Sequence, residues 1–169
     1  MVKKLKMGII GYGWVARDYM YPAIQRSQLV ELSAVCSRYA EDMQTLPGEV
    51  ARFTRVENML AAGQLDAVYI ATPNHLHAQQ TIQCLEAGLH VLCEKPMATQ
   101  LSDAAAMNDA CASHGKVYMT AFDQRHHPAH LKLREIISSG AVGQITQARI
   151  DYACWLPAEW SADNWRIDL

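Results

Sequence analysis

GIIGYGWVA, residues 8–16, is the stretch that decides how the chain folds. It continues the apolar run that begins at Leu5 and leads into a helix-forming segment, so it reads as strand, tight turn and helix start. Gly11, Gly13 and Ala16 form G-x-G-x-x-A at that junction. In this context Gly11 permits the tight turn, Gly13 lets the backbone approach a ligand, and Ala16 allows the helix to pack closely on the strand. The first turn of the helix then offers free N–H groups to an anion, and the pyrophosphate of a dinucleotide is the ligand this arrangement suits. Tyr12, Trp14 and Val15, which fill the motif, are candidate cofactor neighbours with the glycines.

Working outward, short β-type runs alternate with helix-type segments: LKMGIIG, VELSAVC, LDAVYIAT, HVLCEK and KVYMTAF. Their apolar residues are nearly continuous, as in strands buried on both faces, and the alternation predicts an α/β fold with a doubly wound parallel sheet of the Rossmann kind. Helices are expected over 77–87, stopped by Gly88, over 102–113, closing before Gly115, and over 131–137. Gly140 and Gly143 mark a turn, after which Gln144 to Trp155 reads as a further strand. Trp155, Trp160 and Trp165 follow without a regular period. The expected organisation is a dinucleotide-binding domain over 1–122 and the incomplete beginning of a second α/β domain over 123–169.

Composition narrows the function classes. Half of the 169 residues are hydrophobic and 19% are charged, as in a globular protein. The formal net charge of −2 gives no electrostatic reason to expect nucleic acid or an anionic membrane as a partner. Five scattered cysteines without a C-x-x-C pair point to neither a disulfide framework nor a zinc site, and suit a reducing cytoplasm. Lys3, Lys4 and Lys6 precede an apolar stretch too broken by glycine for a signal peptide, and no window has the length of a membrane span.

The second run ends in Ser37 and Arg38, where an acid for the ribose 2′-hydroxyl is usual. A hydroxyl beside a guanidinium suits a 2′-phosphate, so NADP(H) is preferred and NAD(H) is possible. The alternative leaves Arg38 on the solvated surface and gives the ribose to Glu41 or Asp42. Thr72, Pro73 and Asn74 close LDAVYIAT, and Glu94, Lys95 and Pro96 close HVLCEK, at the carboxyl ends of strands where ligands of open α/β sheets bind. Asn74 is placed to cap the next helix, and a cis peptide before Pro96 is plausible. The pair His75 and His77 lacks a nearby Cys or carboxylate, and the cluster His126, His127 and His130 is interrupted by Pro128; both favour no metal.

ATPNHLH at 71–77, AGLHVLCEKPMA at 87–98 and FDQRHHPAHLKLREIISSGAVGQI from Phe122, in this order and spacing, resemble the Gfo/Idh/MocA oxidoreductases, the family of glucose-fructose oxidoreductase and inositol dehydrogenase. The resemblance implies NAD(P)-dependent hydride exchange with a sugar, a cyclitol or a related secondary alcohol. It makes His75 and His77 cofactor neighbours and places Lys95 beside the nicotinamide and the reacting hydroxyl, as the catalytic residue. Gln124 and Arg125 would contact cofactor or substrate, and Trp165 and Arg166 resemble a W-R pair that reaches back toward the cofactor in some relatives. Family members carry a further Asp and His in the substrate domain, and the sequence stops at Leu169 before any such motif. The chain by itself is therefore expected to bind cofactor and to turn over poorly or not at all. A full-length chain would have room for homo-oligomer contacts. A non-catalytic NADP(H)-binding or interaction module stands as the alternative.

Overall fold

The structure, a computed structural model, describes residues 3–153. The chain divides into two units, one ending at Ala121 and the other beginning at Phe122.

In the first unit, six strands form one sheet: β1 (Leu5–Ile10), β2 (Val30–Cys36), β3 (Ala51–Phe53), β4 (Ala67–Ile70), β5 (His90–Cys93) and β6 (Tyr118–Thr120). Their order is β3-β2-β1-β4-β5-β6, and every neighbouring pair is parallel. The doubly wound Rossmann sheet expected from the alternation is thus formed. Four helices accompany it: α1 (Tyr21–Arg26), α2 (Val56–Ala61), α3 (His77–Glu86) and α4 (Leu101–His114).

Successive strand residues point to opposite faces, and both faces are covered. Ile9, Val35 and Tyr69 pack with Ile24 of α1 and with Met43, Leu46 and Val50. Ile10, Cys36, Val68, Ile70 and Cys93 pack on the other face with Met59 of α2 and Leu85 of α3. All four residues of β4 are buried, as a central strand enclosed on both sides requires. Gly88 and Gly115 close α3 and α4 with φ of 79° and 61°, a left-handed conformation that glycine adopts without steric cost.

The helix after the glycine loop has an internal irregularity. Residues 14–26 are helical without a break, but Ala16–Met20 is a π-helical turn in which the Tyr21 N–H donates to the Ala16 carbonyl. Pro22 has no N–H to give, and its ring crowds the carbonyl four residues back, so the preceding turn widens.

The β2–β3 crossover contains only the 3₁₀ turn Ala40–Met43 in place of a helix. Arg52 of β3 holds it, its guanidinium donating to the carbonyls of Met43 (3.1 Å), Leu46, Pro47 (3.2 Å) and Val50 (3.4 Å).

In the second unit, the 3₁₀ turn Asp123–His126 precedes α5 (Pro128–Ser138). His127 caps α5, its ring accepting from the Ala129 N–H at 3.2 Å, and Pro128 opens the helix rather than breaking it. Gly140 and Gly143 turn the chain as expected, with φ of 72° and 67°. The strand expected from Gln144 is not formed over 145–153. The described residues of this unit hold no second strand to pair with it, and an unpaired strand leaves its ladder groups to water. Cys154, Trp155 and Trp160 lie outside the described residues.

Candidate functional site

The order of the strands reverses between β1 and β4, and in an open α/β sheet that reversal opens a crevice at the carboxyl ends. Here the ladder continues one residue beyond each strand. Gly11 N–H donates to Cys36 O (2.8 Å), Ser37 N–H to Phe53 O (3.0 Å), Ala71 N–H to Ile10 O (2.8 Å) and Glu94 N–H to Ile70 O (2.8 Å). Gly11, Ser37, Thr72, Glu94 and Lys95 therefore stand along one edge, the arrangement the sequence spacing predicts.

The two glycines of the motif have different surroundings. Gly11 has φ of +88°, and a Cβ there would lie 2.7 Å from the Ala71 carbonyl oxygen and 2.9 Å from Thr72 Cγ2. Glycine is thus required at 11 so that the β1 loop can pass against the end of β4. At Gly13 a Cβ would meet nothing within 4 Å. The backbone there borders open space, so the residues present fit a pyrophosphate laid over the loop at the start of the helix. Ala16 is fully buried against the core, as close helix-on-strand packing demands. Tyr12 turns its ring inward, with burial raising its phenol above the usual range, so only its backbone borders the crevice. Trp14 is exposed and packs edge-on against Tyr19, with ring centroids 5.6 Å apart, while Val15 is half-buried.

At the end of β2, Ser37 is buried and its hydroxyl donates to Asp42 Oδ2 at 2.7 Å. Arg38 is exposed and makes no hydrogen bond or salt bridge among the described residues. The link from Ser37 to Asp42 depends on the fold of the Ala40–Met43 turn, so their proximity is not deducible from spacing.

At the ends of β4 and β5 the loops are tied together. The Thr72 hydroxyl donates to Gln80 Oε1 at 2.6 Å and is turned back toward α3. Pro73 and Asn74 are half-buried and His75 is exposed. Asn74 is the first residue of a 3₁₀ turn, and its side chain caps nothing, a correction to the expected capping role: Pro73 precedes the turn and Leu76 precedes α3, so Asn74 stands at neither cap position. His77 is completely buried, with ring nitrogens 2.8 Å from the Pro96 carbonyl and 2.9 Å from the Thr72 carbonyl. It does not line the crevice. It is a cross-tie between the two loops that do.

The Glu94 carboxylate is fixed at both oxygens, accepting from the Tyr69 phenol at 2.7 Å and from the Lys95 N–H at 3.2 Å. Burial, and then the adjacent Glu94 carboxylate, push the Tyr69 phenol far above the usual tyrosine range, so it stays a neutral donor. Tyr69 escaped the sequence reading because its partner is 25 residues away, across the β4–β5 register. Lys95 is exposed, and its ammonium makes no hydrogen bond or salt bridge among the described residues. The Lys95–Pro96 peptide is cis.

Gln124 and Arg125 belong to the second unit, on the exposed Asp123–His126 turn. His130 Nδ1 lies 2.8 Å from the Gln124 carbonyl, and no group of three His, Cys, Asp or Glu side chains converges among the described residues. Trp165 and Arg166 lie outside those residues. No described helix is long and apolar enough to cross a membrane.

Known proteins resemble this arrangement in both sequence and structure. The chain is 33% identical over 165 residues to 1,5-anhydro-D-fructose reductase of Ensifer adhaerens, covering 96% of this chain and 49% of that protein. It is 34% identical over 167 residues to D-xylose 1-dehydrogenase (NADP(+)) 2 of Haloferax volcanii, covering 97% and 50%. Among solved structures, apo scyllo-inositol dehydrogenase of Lactobacillus casei matches with a TM-score of 0.80 at 25% identity, covering 85% of this chain and 44% of that one. The WlbA dehydrogenase of Bordetella pertussis, in complex with NADH and UDP-GlcNAcA, matches at 0.77 and 31%, covering 83% and 44%. The chain spans about half the length of the curated relatives it matches. Residues 5–122 match the oxidoreductase family with the NAD-binding Rossmann fold. With the glycine loop, the strand order and the E-K-P edge in place, the chain belongs to the Gfo/Idh/MocA oxidoreductase family.

Proposed function

We propose that the chain is the cofactor-binding part of an NAD(P)-dependent oxidoreductase acting on a secondary alcohol of a sugar, a cyclitol or a related polyol. The observation that carries this reading is the crevice between β1 and β4, open at Gly13, with the exposed Lys95 at the end of the neighbouring strand β5 and its ammonium unpaired among the described residues. The Gly11–Gly13 loop and the helix start would hold the pyrophosphate, and Arg38 the adenosine ribose. Bound there, the dinucleotide supplies a nicotinamide ring that takes or gives hydride.

Lys95 is the catalytic residue in this reading. Its ammonium donates to the alcohol oxygen, lowers that hydroxyl's pKa and orients its C–H bond. Glu94, clamped by Tyr69, fixes the backbone from which Lys95 extends.

NADP(H) is the preferred form, because the exposed Arg38 guanidinium, without a partner among the described residues, can pair with a 2′-phosphate. The free buried thiols Cys36, Cys84 and Cys93 suit a reducing compartment, and a cytoplasmic location goes with them.

Titrating the chain with NADPH and NADH, followed by nicotinamide fluorescence, tests the reading. Saturable binding of at least one is expected, and binding of neither would refute it. Arg38→Ala is expected to weaken NADPH selectively, by about 1–2 kcal/mol. Lys95→Ala is expected to leave binding within a few-fold while removing any alcohol-dependent reduction of NADP+.

A further inference from the structure

Opposed charges meet at the end of β2. The Ser37 amide is taken by the Phe53 carbonyl and its hydroxyl proton by Asp42 Oδ2. A hydroxyl has one proton, so the oxygen that remains has only lone pairs to offer a ligand. A ribose 2′-hydroxyl can donate to those lone pairs or to the Asp42 carboxylate. A 2′-phosphate brings only acceptors and negative charge, and meets a spent hydroxyl backed by an anion. Arg38, the next residue, exerts the opposite pull.

The carboxylate is held in place. Met43, its neighbour in the Ala40–Met43 turn, is buried in the core, and Arg52 clasps the carbonyls of Met43, Leu46, Pro47 and Val50. Asp42 Oδ2 thus stands 2.7 Å from the hydroxyl of the residue that follows β2 at the edge of the crevice.

We propose that Asp42 is a specificity-determining residue which, by taking the Ser37 proton and adding a negative charge beside the ribose 2′ position, restrains the preference for NADP(H) that Arg38 creates. The chain consequently accepts both dinucleotides. The proposal rests on the reading of the crevice as a nicotinamide dinucleotide site.

The test is titration of the chain and of its Asp42→Asn and Asp42→Ala variants with NADPH and NADH, each protein checked for a native melting transition. Asn keeps the acceptor for Ser37 and removes the charge, whereas Ala also frees the Ser37 proton. The ratio of NADPH to NADH affinity is expected to rise about tenfold in Asp42→Asn, through tighter NADPH, and at least as much in Asp42→Ala. A ratio within twofold of the parent in both variants, or a fall, would overturn the proposal while leaving the site reading intact. Failure of the parent to bind either dinucleotide would overturn both.

Discussion

Replacing each glycine of the loop with alanine separates what the fold requires from what the ligand requires. At Gly11 the new methyl group would stand 2.7 Å from the Ala71 carbonyl oxygen and 2.8 Å from its carbon, both backbone atoms of a strand end that cannot swing aside. The positive φ adds a penalty of about 1–2 kcal/mol for a residue with a Cβ. Forcing the β1 and β4 ends apart adds to it, since overpacking in a tight site typically costs about 1–3 kcal/mol. Gly11→Ala is therefore expected to lose about 3 kcal/mol of stability in urea or guanidinium melts. At Gly13 the added methyl meets no protein atom within 4 Å and the backbone is not left-handed. Gly13→Ala should stay within about 0.5 kcal/mol of the parent. Its methyl would nevertheless occupy the space proposed for the pyrophosphate, so affinity for NADPH and NADH should fall by at least about tenfold. The assay is a denaturant melt beside a fluorescence titration for each variant. Unchanged dinucleotide affinity in a folded Gly13→Ala protein would refute the placement of the pyrophosphate at this loop.

Three further outcomes are expected. His77→Ala removes the ring that lies between the Thr72 and Pro96 carbonyls, with its N–H donor, and leaves a hole in the interior, so a loss of about 2–4 kcal/mol is expected in chemical denaturation; a loss below about 1 kcal/mol would remove the cross-tie from the account. Burial raises the thiols of Cys36 to about 11 and of Cys84 and Cys93 to about 12. At pH 8 these thiols should resist alkylation in the native chain, as mass spectrometry of its peptides would reveal. The unfolded thiols ionise at lower pH than the folded ones, so the unfolded state binds fewer protons and stability falls as pH rises from about 9 toward 11. The loss is on the order of 1 kcal/mol per thiol at pH 10, and a flat stability between pH 8 and 10 would contradict their burial.

The parts of the fold legible in the sequence are those governed by local pattern. Continuous apolar runs gave five of the strands, and Gly88 and Gly115 marked the ends of α3 and α4. β3 was not legible, because Ala51–Phe53 is three residues long, with too little alternation to stand out. The strand expected from Gln144 had the right residues, but strand formation needs a neighbour and no propensity supplies one. Within the crevice, the edge position of Gly11, Ser37, Thr72 and Glu94 follows from chain order alone. Which partner each side chain takes does not. Ser37 reaches Asp42 through a folded-back turn, Tyr69 of β4 reaches Glu94 at the end of the neighbouring β5, and the His77 ring lies inside, against the Thr72 and Pro96 carbonyls.

The backbone bonds that continue the ladder past the strand ends make the floor of the crevice part of the sheet. Gly11, Ser37, Ala71 and Glu94 each donate to a neighbouring strand, or to its last residue, so these amides open only when the sheet itself comes apart. In hydrogen exchange they belong with the slowest protons of the domain, in contrast to the exposed tips at Arg38 and His75 a residue or more away. A ligand arriving here finds its seat already rigid. The ordering entropy of binding is then confined to a few side chains, and affinity is governed by what those side chains offer rather than by rearrangement of the loop.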